Sequence, residues 1–203
     1  MPVIDAPLWL IGLMGLVGYV LGSVPAGVLI ARVFGLGDLR RVGSGNIGAT
    51  NVLRTGNKAA AALTLALDAA KGAVAVALAL WLTGSQAAAQ AAGLAAFLGH
   101  VFPVFLGLRG GKGVATFLGV TLALSLPVGM AACATWAAVA GYFRISSAAA
   151  LAAAALAPLW AWAWGATGMV ALLAVLAVAI FGTHRSNIGR LIAGTEPKIG
   201  EKR

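Results

Sequence analysis

Charge is scarce in this chain. Of 203 residues only 9 % are Asp, Glu, Lys or Arg, while 61 % are hydrophobic and the mean hydropathy is +0.98. An ordinary globular domain carries about 25 % charged residues. So few charges cannot cover a water-facing surface, so lipid must be the solvent for most of the chain. Acids are scarcest of all: Asp5, Asp38, Asp68, Glu196 and Glu201. Scattered in this way they do not suit the close oxygen set of a Mg²⁺ site or the clustered aspartates of a metal-dependent phosphotransferase. The single cysteine, Cys133, excludes an internal disulfide and any cysteine-built zinc or iron–sulfur site. With no histidine near it in sequence, it reads as an inert apolar residue.

The charge that exists is mostly positive, with 14 Lys and Arg and a net charge of +9. A basic protein of this kind invites a nucleic-acid reading. A basic soluble domain would not be this apolar, so no nucleic-acid partner is expected. Cytoplasmic loops facing anionic lipid and anionic substrates fit better.

The apolar stretches span residues 8–33, 59–82, 87–108, 114–126, 127–143, 146–164 and 168–182. A spanning helix needs about 20 apolar residues, and 114–126 is short. Charge placement decides how 114–143 is cut. Arg40, Arg41, Arg54 and Lys58 put the first loop inside, the uncharged 83–86 connection outside, and Arg109 and Lys112 the next loop inside. A turn at Ser125-Leu126-Pro127 then returns Arg144 and the basic tail (Arg185, Arg190, Lys198, Lys202, Arg203) inside as well. The expected fold is therefore all-α: one polytopic membrane domain over 1–203, seven transmembrane helices, N-terminus outside and C-terminus cytoplasmic. Five spans with two re-entrant segments have the same parity. Asp5 is the only charge before the first stretch, so no basic secretory leader is expected. Gly22-Ser23-Val24-Pro25 marks a bend in the first helix, and the abundant Ala and Gly suit close helix packing in lipid.

The chemistry lies in the connections. Residues 43–54 read GSGNIGATNVLR. Glycines there let backbone N–H groups converge on an anion, and a following helix start strengthens such a nest. Ser44, Asn46, Thr50 and Asn51 add neutral hydrogen-bond groups, and Arg54 a charged fork. A bland linker would share this composition. Residues 107–113, GLRGGKG, look like a phosphate loop, but Gly113 follows Lys112 where a nucleotide-binding loop has Ser or Thr. A smaller phosphate held by the amides of Gly110, Gly111 and Gly113 and by Lys112 is expected; a tight turn with a snorkelling lysine is the alternative. Ser146 and Ser147 follow Arg144 and would also serve as helix caps. His184, Asn187 and Arg190 share a helical face, with Glu196 beyond. Within the apolar stretches, Asp68 and Lys71 stand at i, i+3, spaced for a mutual ion pair or for function. His100 reads as a hydrogen-bonded packing residue.

Five blocks taken together are recognisable: GSVPAG (22–27), DLRRVGSGNIGATNVLR (38–54), LDAAKG (67–72), GHVFPVFLGLRGGKGVAT (99–116) and HRSNIGRLIAGTE (184–196). The chain resembles the bacterial integral-membrane acyl-phosphate:glycerol-3-phosphate acyltransferase family. That resemblance implies transfer of a fatty acyl group from acyl phosphate to the 1-hydroxyl of glycerol 3-phosphate, giving lysophosphatidic acid and phosphate in the inner membrane. No metal, nucleotide or other cofactor is implied, and no protein partner is evident. The family's essential Ser and Arg match Ser44 and Arg54. Its glycine-rich phosphate loop matches residues 107–113 with Lys112. Its His, Asn and Glu match His184, Asn187 and Glu196, the Glu being structural. The expected roles follow. Ser44, Arg54, Lys112 and Ser147 hold phosphate, Asn46, Thr50 and Asn187 orient substrate, and His184 or a substrate phosphate oxygen takes the proton. Asp68, Lys71 and Glu196 support. A His–Asp acyltransferase pair is lacking, since Phe105 and Gly189 stand five residues after the two histidines. A small transporter for an organophosphate anion is the competing expectation; it would want polar groups near the midplane.

Overall fold

The computed structural model describes residues 4–201; Lys202 and Arg203 of the basic tail lie outside them. The described residues are helical and contain no strand. The helices are α1 (Leu8–Ser23), α2 (Ala26–Val33), α3 (Ala49–Leu53), α4 (Lys58–Thr83), α5 (Gln86–Val101), α6 (Val114–Leu124), α7 (Leu126–Phe143), α8 (Ser146–Ala163), α9 (Val170–Thr183) and α10 (Arg185–Ile192).

Local chemistry sets the boundaries. Asn57 caps α4 by accepting from the Ala60 N–H at 2.9 Å, and Ser85 caps α5 through the Ala88 N–H at 3.0 Å. Gly84 closes α4 in the left-handed conformation, so Thr83-Gly84-Ser85 makes a tight helical hairpin. The Asp5 carboxylate straps the N-terminal segment onto that hairpin, accepting from the Ser85 hydroxyl and from the Gln86 N–H at 2.8 Å. The first apolar stretch breaks at the expected place: Val24 is extended, Pro25 precedes α2, and Lys71 Nζ donates to the freed Val24 carbonyl at 3.0 Å. The turn at Ser125 is also present, with Ser125 extended and Pro127 in the first turn of α7.

Small residues bring the helices together. A Cβ added to Gly18 or Gly22 of α1 would strike the Ala92 or Ala96 carbonyl of α5. Gly72 of α4 meets Thr116 of α6 in the same way, and Gly119 meets Ala69. Dispersion and close backbone approach do this work in lipid, where apolar burial drives little. Phe97, Phe117, Val120, Leu173, Leu176 and Ile180 fill the centre.

Among the described residues, five helical stretches, Leu8–Val33, Lys58–Thr83, Gln86–Leu106, Leu126–Phe143 and Ser146–Ala163, are long and apolar enough to cross a membrane. Thr167–Thr183 with Arg185–Ile192 makes a sixth only if its 66° bend is counted as one span. All seven apolar stretches of the sequence are helical, but α6 has 11 residues, about 16 Å against a hydrocarbon core of about 30 Å. The reason lies in front of it. The glycine turn folds back on the end of α5, with the Gly110 and Gly111 N–H groups donating to the Val101 and His100 carbonyls, both at 3.0 Å. That turn occupies depth that a longer helix would have filled.

Candidate active site

One end of the bundle gathers the polar connections. The 43–54 loop, the start of α6, the start of α8, α10 and the tail to Ile199 line a single cavity of about 380 Å³. Ser44, Asn46, Thr50, Arg54, Lys112, Gly113, Ser147, His184, Asn187, Glu196 and Asp68 all line it. Lys71 does not; it is turned to Asp68, 2.9 Å away, and to Val24. Gly110 and Gly111 face an adjoining open cleft of about 480 Å³, which shares Ser44, Asn46 and Lys112 with the cavity and adds Arg185 and Ser186.

The first loop is pinned by Asn51, which is buried. Its Oδ1 accepts from the Ser44 N–H at 3.1 Å and from Arg54 Nη1 at 3.2 Å, while its Nδ2 donates to the Leu39 carbonyl at 2.9 Å. Gly43 makes this possible. Its φ is +49° and a Cβ there would run into Arg54 and Asn51. One buried amide thus holds Ser44 and Arg54 as a unit.

Glu196 organises the opposite wall. Oε1 accepts from Ser147 Oγ at 2.8 Å and from Asn187 Nδ2 at 2.5 Å; Oε2 accepts from Arg190 Nε at 2.6 Å. Asn187 then presents Oδ1 to Lys112 Nζ at 2.5 Å. Burial works to raise the Glu196 pKa, but the hydrogen bonds from Asn187, Ser147 and Arg190 outweigh it and hold the carboxyl below its ordinary range. The tail stays in place through a further bond, Ile199 N–H to the Arg144 carbonyl at 2.6 Å, where Arg144 ends α7 in the left-handed region (φ 58°). Ser146, the neighbour of Ser147, pairs with Thr50 at 3.0 Å.

The two titratable groups nearest the centre are shifted. Burial lowers the Lys112 ammonium to about 8; the Arg190 and Arg54 charges add to this and Glu196 opposes it. Burial likewise lowers His184 to about 4, against its bond to Ile180, with Lys112 adding to the lowering. His184 Nδ1 lies 2.8 Å from the Ile180 carbonyl, so Nδ1 carries the proton there and Nε2 is left as an acceptor.

Opposite the cations the lining turns apolar: Leu65, Leu118, Cys133, Trp136 and Ala150, from α4, α6, α7 and α8. Leu65 is 49 % exposed, so this side opens toward the outside of the bundle. Among the described residues no three of His, Cys, Asp and Glu converge to hold a metal. Sequence reasoning did not anticipate the pin at Asn51, the Arg190–Glu196 pair or the apolar wall. An Asn three residues before Arg54 was a signal for the first. The others join residues far apart in the chain or on separate helices and leave no local trace.

Comparison with known proteins extends these observations to the whole chain. The family described as Glycerol-3-phosphate acyltransferase matches residues 12–194. A glycerol-3-phosphate acyltransferase of Jannaschia sp. (strain CCS1) is 63 % identical over 200 residues, covering 98 % of each chain. One from Dinoroseobacter shibae is 58 % identical over 203 residues, covering all of both. The crystal structure of PlsY (YgiH), an integral membrane glycerol 3-phosphate acyltransferase in its glycerol 3-phosphate form, superposes with a TM-score of 0.88 at 38 % identity, covering 94 % of this chain and 96 % of that one. The lysophosphatidic acid form gives 0.84 at 34 %, covering 93 % and 94 %. Polar loops converging on one end of an apolar helical bundle, and relatives alike over nearly its full length, place this multi-pass membrane protein in the glycerol-3-phosphate acyltransferase family, as an acyltransferase.

Proposed function

We propose that this chain, as one transmembrane domain over residues 1–203, transfers a fatty acyl group from an acyl phosphate to the 1-hydroxyl of glycerol 3-phosphate. The products are 1-acyl-glycerol 3-phosphate (lysophosphatidic acid) and inorganic phosphate, in the first acylation of phospholipid biosynthesis. The supporting observation is a cavity with one wall of Arg54, Lys112 and Arg190 and another of Leu65, Leu118, Cys133 and Trp136. Its cationic wall suits phosphate groups and its apolar wall suits an acyl chain. The open cleft beside Lys112 offers the water-soluble substrate a polar approach.

The reaction asks for little covalent chemistry. An acyl phosphate is already activated, so the glycerol oxygen attacks the acyl carbon, the bond to the phosphate oxygen breaks, and phosphate leaves with its electron pair. Ser44, Arg54, Lys112 and Ser147 hold the two phosphates against their mutual repulsion; Asn46, Thr50 and Asn187 orient the substrate or the developing oxyanion. Proximity and electrostatics then carry most of the acceleration. The hydroxyl proton goes to His184 Nε2, neutral at physiological pH because burial holds its pKa near 4, or to a phosphate oxygen. His184→Gln separates the two routes. Loss of about 10²–10⁴ in kcat assigns the proton to the histidine; a retained rate and pH profile assign it to phosphate.

Purified protein given palmitoyl phosphate and glycerol 3-phosphate should release phosphate and form the lysolipid in EDTA. No turnover, together with glycerol 3-phosphate uptake by proteoliposomes, would instead establish a transporter.

We also propose seven crossings of the bacterial inner membrane, N-terminus outside and C-terminus inside, with the cavity at the cytoplasmic face. The connections at the other end, residues 4–7, 84–85, 125 and 164–169, contain no Lys or Arg. Gln86 is exposed beside the α4–α5 hairpin. In a Cys133→Ser background, Gln86→Cys should react with an impermeant thiol reagent applied to intact cells with a permeabilised outer membrane. Labelling only after lysis of the inner membrane inverts the orientation.

A further inference from the structure

Asp68 and His100 take no step in the reaction above, yet both are buried and both line the cavity. Asp68 Oδ1 lies 3.3 Å from His100 Nδ1 and 2.9 Å from Lys71 Nζ. Thr116 Oγ1 donates to the Asp68 carbonyl at 2.9 Å. An ionised carboxylate inside an apolar bundle is costly and marks a place where its partners matter.

The His100 ring is held at both edges. Asp68 stands at Nδ1, and Gly111 lies against the other side. A Cβ on Gly111 would collide with Nε2 and come within 3.0 Å of Cε1 and 3.2 Å of Cδ2; the three atoms nearest it all belong to this ring. The φ of Gly111 is not in the left-handed region, so the ring and not the backbone demands glycine there. The His100 carbonyl also accepts the Gly111 N–H. The turn that ends in Lys112 is thus laid upon His100 by both its backbone and its side chain.

We propose that Asp68 and His100 are positioning residues: Asp68 orients the His100 ring, and the ring sets where the glycine turn delivers the Lys112 ammonium to the phosphate. The proposal rests on Lys112 being a phosphate ligand in the reaction above.

The test uses purified full-length protein and glycerol 3-phosphate, with Kd from calorimetry beside steady-state KM and kcat. Asp68→Asn and His100→Ala should each raise Kd and KM at least tenfold while kcat moves less than threefold. The double variant should be no worse than the weaker single one. Gly111→Ala should lose binding at least tenfold, and adding His100→Ala to it should recover part of that loss, because the obstructing ring is gone. A merely structural His100 would make the Gly111→Ala/His100→Ala pair worse than either alone. That outcome, or unchanged Kd and KM in His100→Ala, overturns the proposal. If His100→Ala does not fold, His100→Asn keeps an amide for Asp68, and with Asp68→Asn it carries the same expectation. Wild-type protein that binds glycerol 3-phosphate without acyl transfer sinks the proposed reaction and leaves the binding comparison decisive. Wild-type protein that does not bind it overturns both.

Discussion

Replacing Lys112 by Met should lower kcat/KM for glycerol 3-phosphate by about two to three orders of magnitude while the protein still folds. The ammonium is the cation at the junction of the cavity and the open cleft, 2.5 Å from Asn187 Oδ1. A charge-assisted bond to phosphate contributes about 1.5–3 kcal/mol, and more where water is excluded and charge develops. The Lys112 carbonyl, which accepts from Thr183 Oγ1 at 3.2 Å, survives the substitution, so the turn keeps that anchor. The pKa adds a second signature. Burial holds the empty-site ammonium near 8; a bound phosphate dianion favours the charged form and raises it. Affinity should therefore be flat between about pH 7 and 8 and weaken as pH rises above that, with a proton taken up on binding there. The phosphate, whose second pKa is about 6, is already a dianion in that range. Calorimetry in buffers of different ionisation heat reads the uptake. Unchanged kcat/KM in the variant, or affinity independent of pH from 7 to 10, removes Lys112 from the site.

Glu196→Ala should be the most destabilising single change at the polar end, by about 2–4 kcal/mol. Its carboxylate is 6 % exposed and serves Ser147, Asn187 and Arg190 together. Removing it strands three donors at once and takes away the negative charge that supports protonated Lys112. The proton uptake on binding should therefore begin at lower pH than in wild type. Glu196→Gln keeps an oxygen for Ser147 or Asn187 and should lose about half as much. The folded-state pKa of Glu196 is depressed, so its contribution is present above the unfolded value and disappears as pH falls through the folded one. Wild type should lose this share of stability at acid pH, and Glu196→Gln should not. Thermal unfolding in detergent checks both, and limited proteolysis should cut segment 195–201 first in Glu196→Ala. A variant that melts with wild type and resists the protease would show that the tail is held elsewhere.

Much of this is legible in the sequence. The uncharged 83–86 connection between two apolar stretches placed the α4–α5 hairpin, and the structure adds its caps, Asn57, Gly84 and Ser85. Val24-Pro25 broke the first helix for a reason contained in two residues. Cations at one set of loops implied that residues 43–54, 107–113 and 184–196 would meet. The depth of the glycine turn was not legible, because it depends on carbonyls at the end of α5 that no local pattern announces. The shortness of α6 was legible: its apolar run begins at Val114 as the helix does, and the helix ends at the Ser125 turn.

Composition and loop chemistry alone determined that the chain is an apolar helical bundle with its basic and glycine-rich loops gathered at one end, because solvent choice, capping and charge are properties of short segments. Tertiary structure alone decided which atoms meet. Asn51 binding Ser44 and Arg54, Glu196 binding Ser147, Asn187 and Arg190, and His100 beneath Gly111 are contacts selected by how closely the helices can approach. That approach is governed by packing between elements and not by any one of them.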